Sequence, residues 1–240
     1  MESGGVVMFP LGVLRSRQQQ GGYNPSLCFG LYHFDGPIGW TLFSDNSPAN
    51  RTLTGDGALL GDTAKFGNSS VRFPDDIYDR GFYNPSYDVG NSDFTFELFF
   101  LSDFSVGPVF KGLIANADDA VNKDWQLYLH DQKIEFGINL QDDGWQTLQH
   151  QDDVLSNMWN YVKVLRKNGV IKIGLNGVES SNAINAGTQS VSNLASFFVL
   201  GGMYRYSPYN GFIPNGYIDE LRLNKQAIDG WSVPTAPFAM

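Results

Sequence analysis

Two Asn-Gly pairs, Asn168-Gly169 and Asn176-Gly177, interrupt a stretch of alternating apolar and polar residues and commit it to antiparallel hairpins. Both residues of such a pair tolerate positive φ, which a two-residue type I′ turn requires. The run before the first turn is Trp159-Asn160-Tyr161-Val162-Lys163-Val164-Leu165-Arg166, and Val170-Ile171-Lys172-Ile173-Gly174-Leu175 lies between the turns. Punctuation is just as dense elsewhere. With 27 Gly and 11 Pro in 240 residues, long helices have no room, and an aromatic content of 14% alongside many Val, Ile and Thr suits pleated surfaces. The chain reads as all-β.

Gly216-Tyr217-Ile218-Asp219-Glu220-Leu221-Arg222-Leu223 is a further strand whose faces are written in the sequence. Strict alternation sets Ile218, Glu220 and Arg222 on one side and Tyr217, Asp219, Leu221 and Leu223 on the other. An Asp sharing a face with Tyr and Leu sits at the edge of a core and needs a partner, either a backbone amide or a cation.

At these residues the chain resembles the laminin-G-like, concanavalin A-like jelly-roll family, in the versions found in tailed-bacteriophage virion proteins. Further segments occur in the family's order: Leu31-Tyr32-His33-Phe34-Asp35-Gly36, Phe43-Ser44-Asp45-Asn46-Ser47, Lys65 to Phe73, Asp93 to Phe100, and Phe198-Val199-Leu200-Gly201-Gly202. The terminal Pro234-Thr235-Ala236-Pro237-Phe238 is similar to the tail of many such phage domains. The resemblance implies a sandwich of two antiparallel sheets with opening and closing strands side by side. It also implies a non-enzymatic structural role in a virion, as a tail or fibre-associated component or a capsid decoration protein, made in the host cytoplasm. The alternative is a lectin-like module that attaches to a host-surface glycan, since the fold serves adhesion, sugar binding and scaffolding alike.

The expected organisation is an extended arm and linker over 1–28, the jelly roll over 29–226 and an extended tail over 227–240. Strands are expected near 29–34, 41–44, 69–73, 94–102, 108–115, 124–130, 133–140, 159–166, 170–175, 197–201 and 216–223. Trp159 opens its strand and is expected to be largely buried. The arm carries the apolar residues Phe9, Leu11, Val13 and Leu14 on a polar leash, Arg15 to Gly22. Either it is a tail with an accidental apolar patch, or it orders by docking on a neighbouring subunit. The docking reading is preferred, because an apolar segment left in water is a liability.

One cysteine, Cys28, leaves no internal disulfide framework. A net charge of −9 gives no broad attraction for nucleic acid or an anionic membrane surface, and the longest apolar run is of strand length. The paired acids at 75–76, 118–119, 142–143 and 152–153 fall in polar stretches that read as loops. Enzymatic constellations are missing: there is no Gly-x-Ser-x-Gly, Walker loop, His-Glu-x-x-His or Cys-x-x-Cys. Glu97 lacks the closely alternating carboxylate of jelly-roll glycosidases, and Glu135 stands alone on its strand.

Candidate contact residues are aromatic. Tyr204, Tyr206 and Tyr209 sit before the last strand, Trp145 comes after Asp143-Gly144, and Tyr83 and Tyr87 lie in a long loop from Pro74 to Gly90. Aromatics beside polar groups suit a sugar, and equally a protein partner in a virion or a homo-oligomeric, multi-copy assembly. One cofactor, Ca²⁺, has a case: side-by-side opening and closing strands would bring Asp35 towards Asp219, with Asp45 nearby as a third hard oxygen ligand. Against it stands the habit of loop Asp residues of capping turns through backbone amides, which is the preferred reading.

Overall fold

The computed structural model describes residues 23–74, 80–83 in backbone, 87–103, 110–119, 121–203 and 216–240. Two antiparallel sheets stack as a sandwich. The larger runs β14 (Val178–Glu179), β13 (Val170–Leu175), β12 (Asn160–Lys167), β7 (Phe94–Leu101), β17 (Gly216–Asn224), β5 (Ser70–Phe73) and β4 (Leu59–Gly61). In it β1 (Cys28–Tyr32) also pairs with β17, and β15 (Ile184–Asn185) with β13. The second sheet runs β11 (Gly144–Asp153), β10 (Lys133–Leu140), β9 (Lys123–His130), β8 (Phe110–Ala117), β16 (Phe198–Leu200), β6 (Arg80–Tyr83), β3 (Leu53–Asp56) and β2 (Leu42–Phe43).

Alternation builds the core between the sheets. Phe94, Phe96, Leu98 and Phe100 of β7 and Val162 and Val164 of β12 bury against Trp125 and Leu127 of β9 and Phe136 and Ile138 of β10. Both Asn-Gly pairs turn as expected, with φ of 50° and 76° at Asn168-Gly169 and 49° and 90° at Asn176-Gly177. Opening and closing strands do lie side by side: Tyr32 faces Leu221 and Cys28 faces Asn224.

The faces of β17 differ from strict alternation. Asp219 opposes Phe99 of β7 while Arg222 opposes Glu97, so one extra residue is accommodated between them, and Glu220 takes a φ of 53°. This bulge reverses the phase of the rest of the strand. Ile218, Leu221 and Leu223 all enter the core, and Arg222 reaches Glu97 on the outer face. The bulge also marks a change of neighbour: residues 216–218 pair with β5 and residues 221–224 with β1.

Other expectations are corrected in the same way. Residues 144–153, expected as loop, form β11, on which Leu148 and His150 are the buried side chains; the acids 152–153 end that strand. The expected loop from Pro74 to Gly90 contains β6, paired with β3 and β16. Trp159 precedes β12 and is half-buried, packed on an outer-face cluster of Cys28, Leu31, Phe99, Tyr161 and Phe238. That cluster is covered by residues 225–240, which carry no helix or strand and cross the outer face of the larger sheet. Ile228 N donates to Thr95 Oγ1, Lys163 Nζ donates to Gly230 O, and Phe238 sits under the Arg222 guanidinium at 4.5 Å.

Candidate binding cleft beside the bulge

Where β1 leaves β17, the chain turns sharply at Phe34, with φ of 57°, and makes a rim before entering β2. Fixed backbone bonds hold this rim. Gly39 N donates to Leu60 O and Leu60 N to Trp40 O, both at 2.8 Å, which clamps the Pro37–Trp40 turn onto β4. Gly39 has a φ of 87°, a conformation that glycine adopts without strain. Ser69 Oγ donates to Phe34 O and accepts from Gly36 N, closing the other side.

The rim and the two sheet edges enclose a cleft of about 280 Å³, lined by His33, Asp35, Trp40, Leu42, Ser44 and Asn46 over a floor that includes Phe43 and Leu60. Trp40 is 57% exposed and Leu42 55%, so an indole and an isobutyl group stand in water beside exposed Asp35, Ser44 and Asn46.

Behind the cleft lies the bulge. His33 Nδ1 donates towards both oxygens of Glu220, at 2.9 and 3.0 Å, and Glu220 Oε2 also accepts from Phe238 N at 2.8 Å. The hydrogen bond to Glu220 raises the His33 imidazole above its ordinary pKa, and the charges of Glu220, Asp35 and Asp219 reinforce it. Asp219 is fully buried and accepts from Lys65 N, Phe66 N and Glu220 N. Burial pushes its carboxyl up to about 7 against the pull of those amides.

These two groups give the fold a pH dependence. Below about pH 4 the folded and unfolded chains both hold the Asp219 proton, and between there and 7 only the folded chain does, so stability from this group declines as pH rises through that span. His33 has the same sign: its contribution is complete below about pH 6.5 and is lost as pH rises through its raised folded value. Thermal melts from about pH 4 to 8 should show a steeper decline, or a weaker rise, in the wild type than in His33→Gln or Asp219→Asn. Parallel curves for all three would refute the assignment.

The three candidate calcium ligands are engaged with amides. Asp35 Oδ1 accepts from Asn68 N, and Asp45 is buried and accepts from Leu31 N, Ser47 N, Ser47 Oγ and Arg51 N, ordering the turn after β2. Among the described residues no three His, Cys, Asp or Glu side chains are grouped to hold a metal ion. Of the paired acids, Asp118 accepts from Ser196 N and Phe197 N and Asp119 from Val121 N and Asn122 N, while Asp143 accepts from the Gln189 side chain, Asp153 pairs with Lys133, and 75–76 lie outside the described residues.

The aromatic candidates separate. Tyr87 is a core residue, 1% exposed, its hydroxyl 2.6 Å from that of Tyr32, its ring against Phe198 and its amide donating to the buried Asn116 side chain. Trp145 lies on the outer face of the second sheet, half-buried, its ring occupying the space where a Cβ on Gly137 would stand and Lys123 Nζ 4.3 Å from its centroid. The backbone of Tyr83 is in β6. Its side chain, Tyr204, Tyr206, Tyr209 and the arm residues Phe9, Leu11, Val13 and Leu14 lie outside the described residues. The sequence candidates do not include Trp40, although Pro37-Ile38-Gly39-Trp40 is a turn signal carrying a tryptophan between two expected strands.

Known proteins share this architecture. A laminin-G profile, described as the concanavalin A-like lectin/glucanases superfamily, matches residues 67–231. The chain belongs to this superfamily. A comparison with curated protein sequences gives no significant match. Among solved structures, the binding domain of Paraclostridial Mosquitocidal Protein 1 superposes with a TM-score of 0.65 at 13% identity, over 85% of this chain and 50% of that one. The botulinum neurotoxin serotype D binding domain gives 0.64 at 13% identity over 85% and 50%, and that of serotype G gives 0.61 at 11% over 86% and 49%. The chain thus spans about half the length of these structures, and at such identities the likeness is one of fold. The cleft-forming segment from His33 to Asn46 precedes the part matched to the concanavalin A-like superfamily, so membership does not assign it.

Proposed function

We propose that this protein is a non-enzymatic, lectin-like module that binds a saccharide in the Trp40 cleft. The carrying observation is an exposed indole on a backbone-clamped rim, beside exposed Asp35, Ser44 and Asn46. Sugars are bound by apolar contact with their C–H faces together with hydrogen bonds to their hydroxyls, and a preformed concave site with a few polar groups supplies both. A binding role also agrees with the structural neighbours, which are binding domains, one of them in complex with N-acetylneuraminic acid. The absence of hydrolase motifs from the sequence supports the non-enzymatic reading, and so does the engagement of Glu97 in an ion network.

The test is a glycan array probed with the full chain and with Trp40→Ala. Retention of specific glycans by the wild type and their loss in the variant is expected, with an unchanged melting temperature because Trp40 is exposed. An array without signal would remove the reading.

A virion setting, as a tail, fibre or capsid component, is the second reading. It is motivated by the phage-like sequence resemblance and by an exposed apolar group, Val121 at 77%, Leu194 and Phe197, gathered around the turn that Asp118 and Asp124 organise. Such a patch suits a protein neighbour. Particles assembled with Val121→Ser and Leu194→Ser should show reduced incorporation of this chain, and normal incorporation would count against the setting.

A further inference from the structure

The charge and size of the Trp40 cleft narrow its ligand beyond "a saccharide". Resting on that reading, we infer that the cleft takes a neutral terminal hexopyranose and rejects acidic sugars such as sialic and uronic acids.

Charge separates the two classes of sugar. The described lining contains no Lys or Arg, and its one basic side chain is His33. That imidazole is already matched by a carboxylate: both oxygens of Glu220, itself 1% exposed, lie within 3.0 Å of Nδ1. Asp35 stands in the cleft wall with Oδ1 accepting from Asn68 N and in no ion pair with the described residues that line the site, and Asp219 lies behind, next to Glu220 in the bulge. An entering carboxylate would lose water and meet a like charge. Taking an anion out of water is costly unless a cation or several donors replace the solvent, and this lining supplies neither in excess. A hydroxyl pair fits better, because Asp35 offers acceptors while Ser44 and Asn46 can donate or accept.

Size limits the ligand to a single ring. About 280 Å³ falls at the lower limit of small-molecule pockets, which suits one pyranose rather than a run of several. Trp40 and Leu42, exposed at the mouth, provide the apolar wall for one sugar C–H face. The clamp of the Pro37–Trp40 turn onto β4 closes one side, so a chain-internal sugar would have to leave through the rim.

The experiment is calorimetry at neutral pH on the full chain with methyl glycosides of neutral hexoses, free N-acetylneuraminic acid and glucuronic acid. Variants are Trp40→Ala, Asp35→Asn and Asp35→Lys. At least one neutral glycoside should bind and the acids should not, and Trp40→Ala should weaken the neutral sugar about 10-fold or more, which corresponds to about 1.4 kcal/mol. Asp35→Asn should weaken it less, and Asp35→Lys should admit an acidic sugar. Preference for the acidic sugars, lost in Trp40→Ala, would overturn this inference while leaving the lectin reading intact. Neutral binding that Trp40→Ala leaves untouched would overturn the site. No binding of any sugar, with an empty glycan array, would remove the lectin reading itself.

Discussion

Arg222→Ala is expected to destabilise the protein by about 3 to 5 kcal/mol, as the breaking of a buried ion pair does when one charge is left behind. Arg222 Nε and Nη2 hold Glu97 Oε2 at 2.9 and 2.5 Å, Tyr161 donates to Glu97 Oε1, and Lys163 Nζ lies 3.6 Å from the same oxygen. All four side chains are nearly inaccessible, sealed by the C-terminal segment. Burial pushes the Glu97 carboxyl up, but the charges of Arg222 and Lys163 and the hydrogen bonds outweigh it and hold it below the usual carboxylate range. The stability Glu97 brings is therefore present above about pH 4.3 and is lost as pH falls through its lowered value. Removing the guanidinium leaves the carboxylate without its main partner and takes away the cation on which Phe238 rests. Urea denaturation gives the comparison: Arg222→Ala falls sharply, and Arg222→Ala with Glu97→Gln and Lys163→Met recovers a substantial part, because no buried charge is then left without its counter-charge. A loss under about 1 kcal/mol would mean that the tail does not seal this face.

The same residues show where the sequence was legible. The strands around Asn168-Gly169 and Asn176-Gly177 could be read because turn chemistry and alternation point the same way. β11 could not, because its polar side chains face out and so few of its residues are buried that its composition is that of a loop. The bulge at Glu220 was hidden for another reason. A glutamate at positive φ carries no glycine to announce it, and the conformation is held by contacts with His33 and Phe238 that local sequence does not contain. Missing it inverted the faces of Leu221 to Leu223, while the expectation that Asp219 needs an amide or a cation held, with the amides as its partners. The support behind the cleft was obscured for the same reason as the bulge, since His33 and Glu220 are 187 positions apart. Of the residues lining the cleft, Asp35 was singled out, as a possible metal ligand, and Trp40 was overlooked although it sits on a Pro-x-Gly turn.

The second large effect lies in the core and falls on Trp125 rather than on Trp159, the tryptophan expected from the sequence to be largely buried. Trp125 is 0% exposed on β9, its ring 4.6 Å from Phe96 of the opposite sheet and 6.0 Å from Phe198 of its own. It fills the space between the layers, so Trp125→Ala leaves a cavity that two hydrogen-bonded sheets cannot close, and a loss of about 3 to 5 kcal/mol is expected. Trp159, half-buried on the outer face, has solvent on one side and a less regular covering segment on the other, so its truncation should cost clearly less. The indole nitrogen of Trp125 sharpens the test. It is buried with no hydrogen-bond partner among the described residues, so Trp125→Phe removes an unsatisfied donor while keeping most of the ring, and should cost much less than the alanine change. Chemical denaturation of the three variants orders them as Trp125→Ala well above Trp159→Ala and Trp125→Phe. If Trp159→Ala proved the more damaging, the outer-face cluster rather than the space between the sheets would be the main core of this protein.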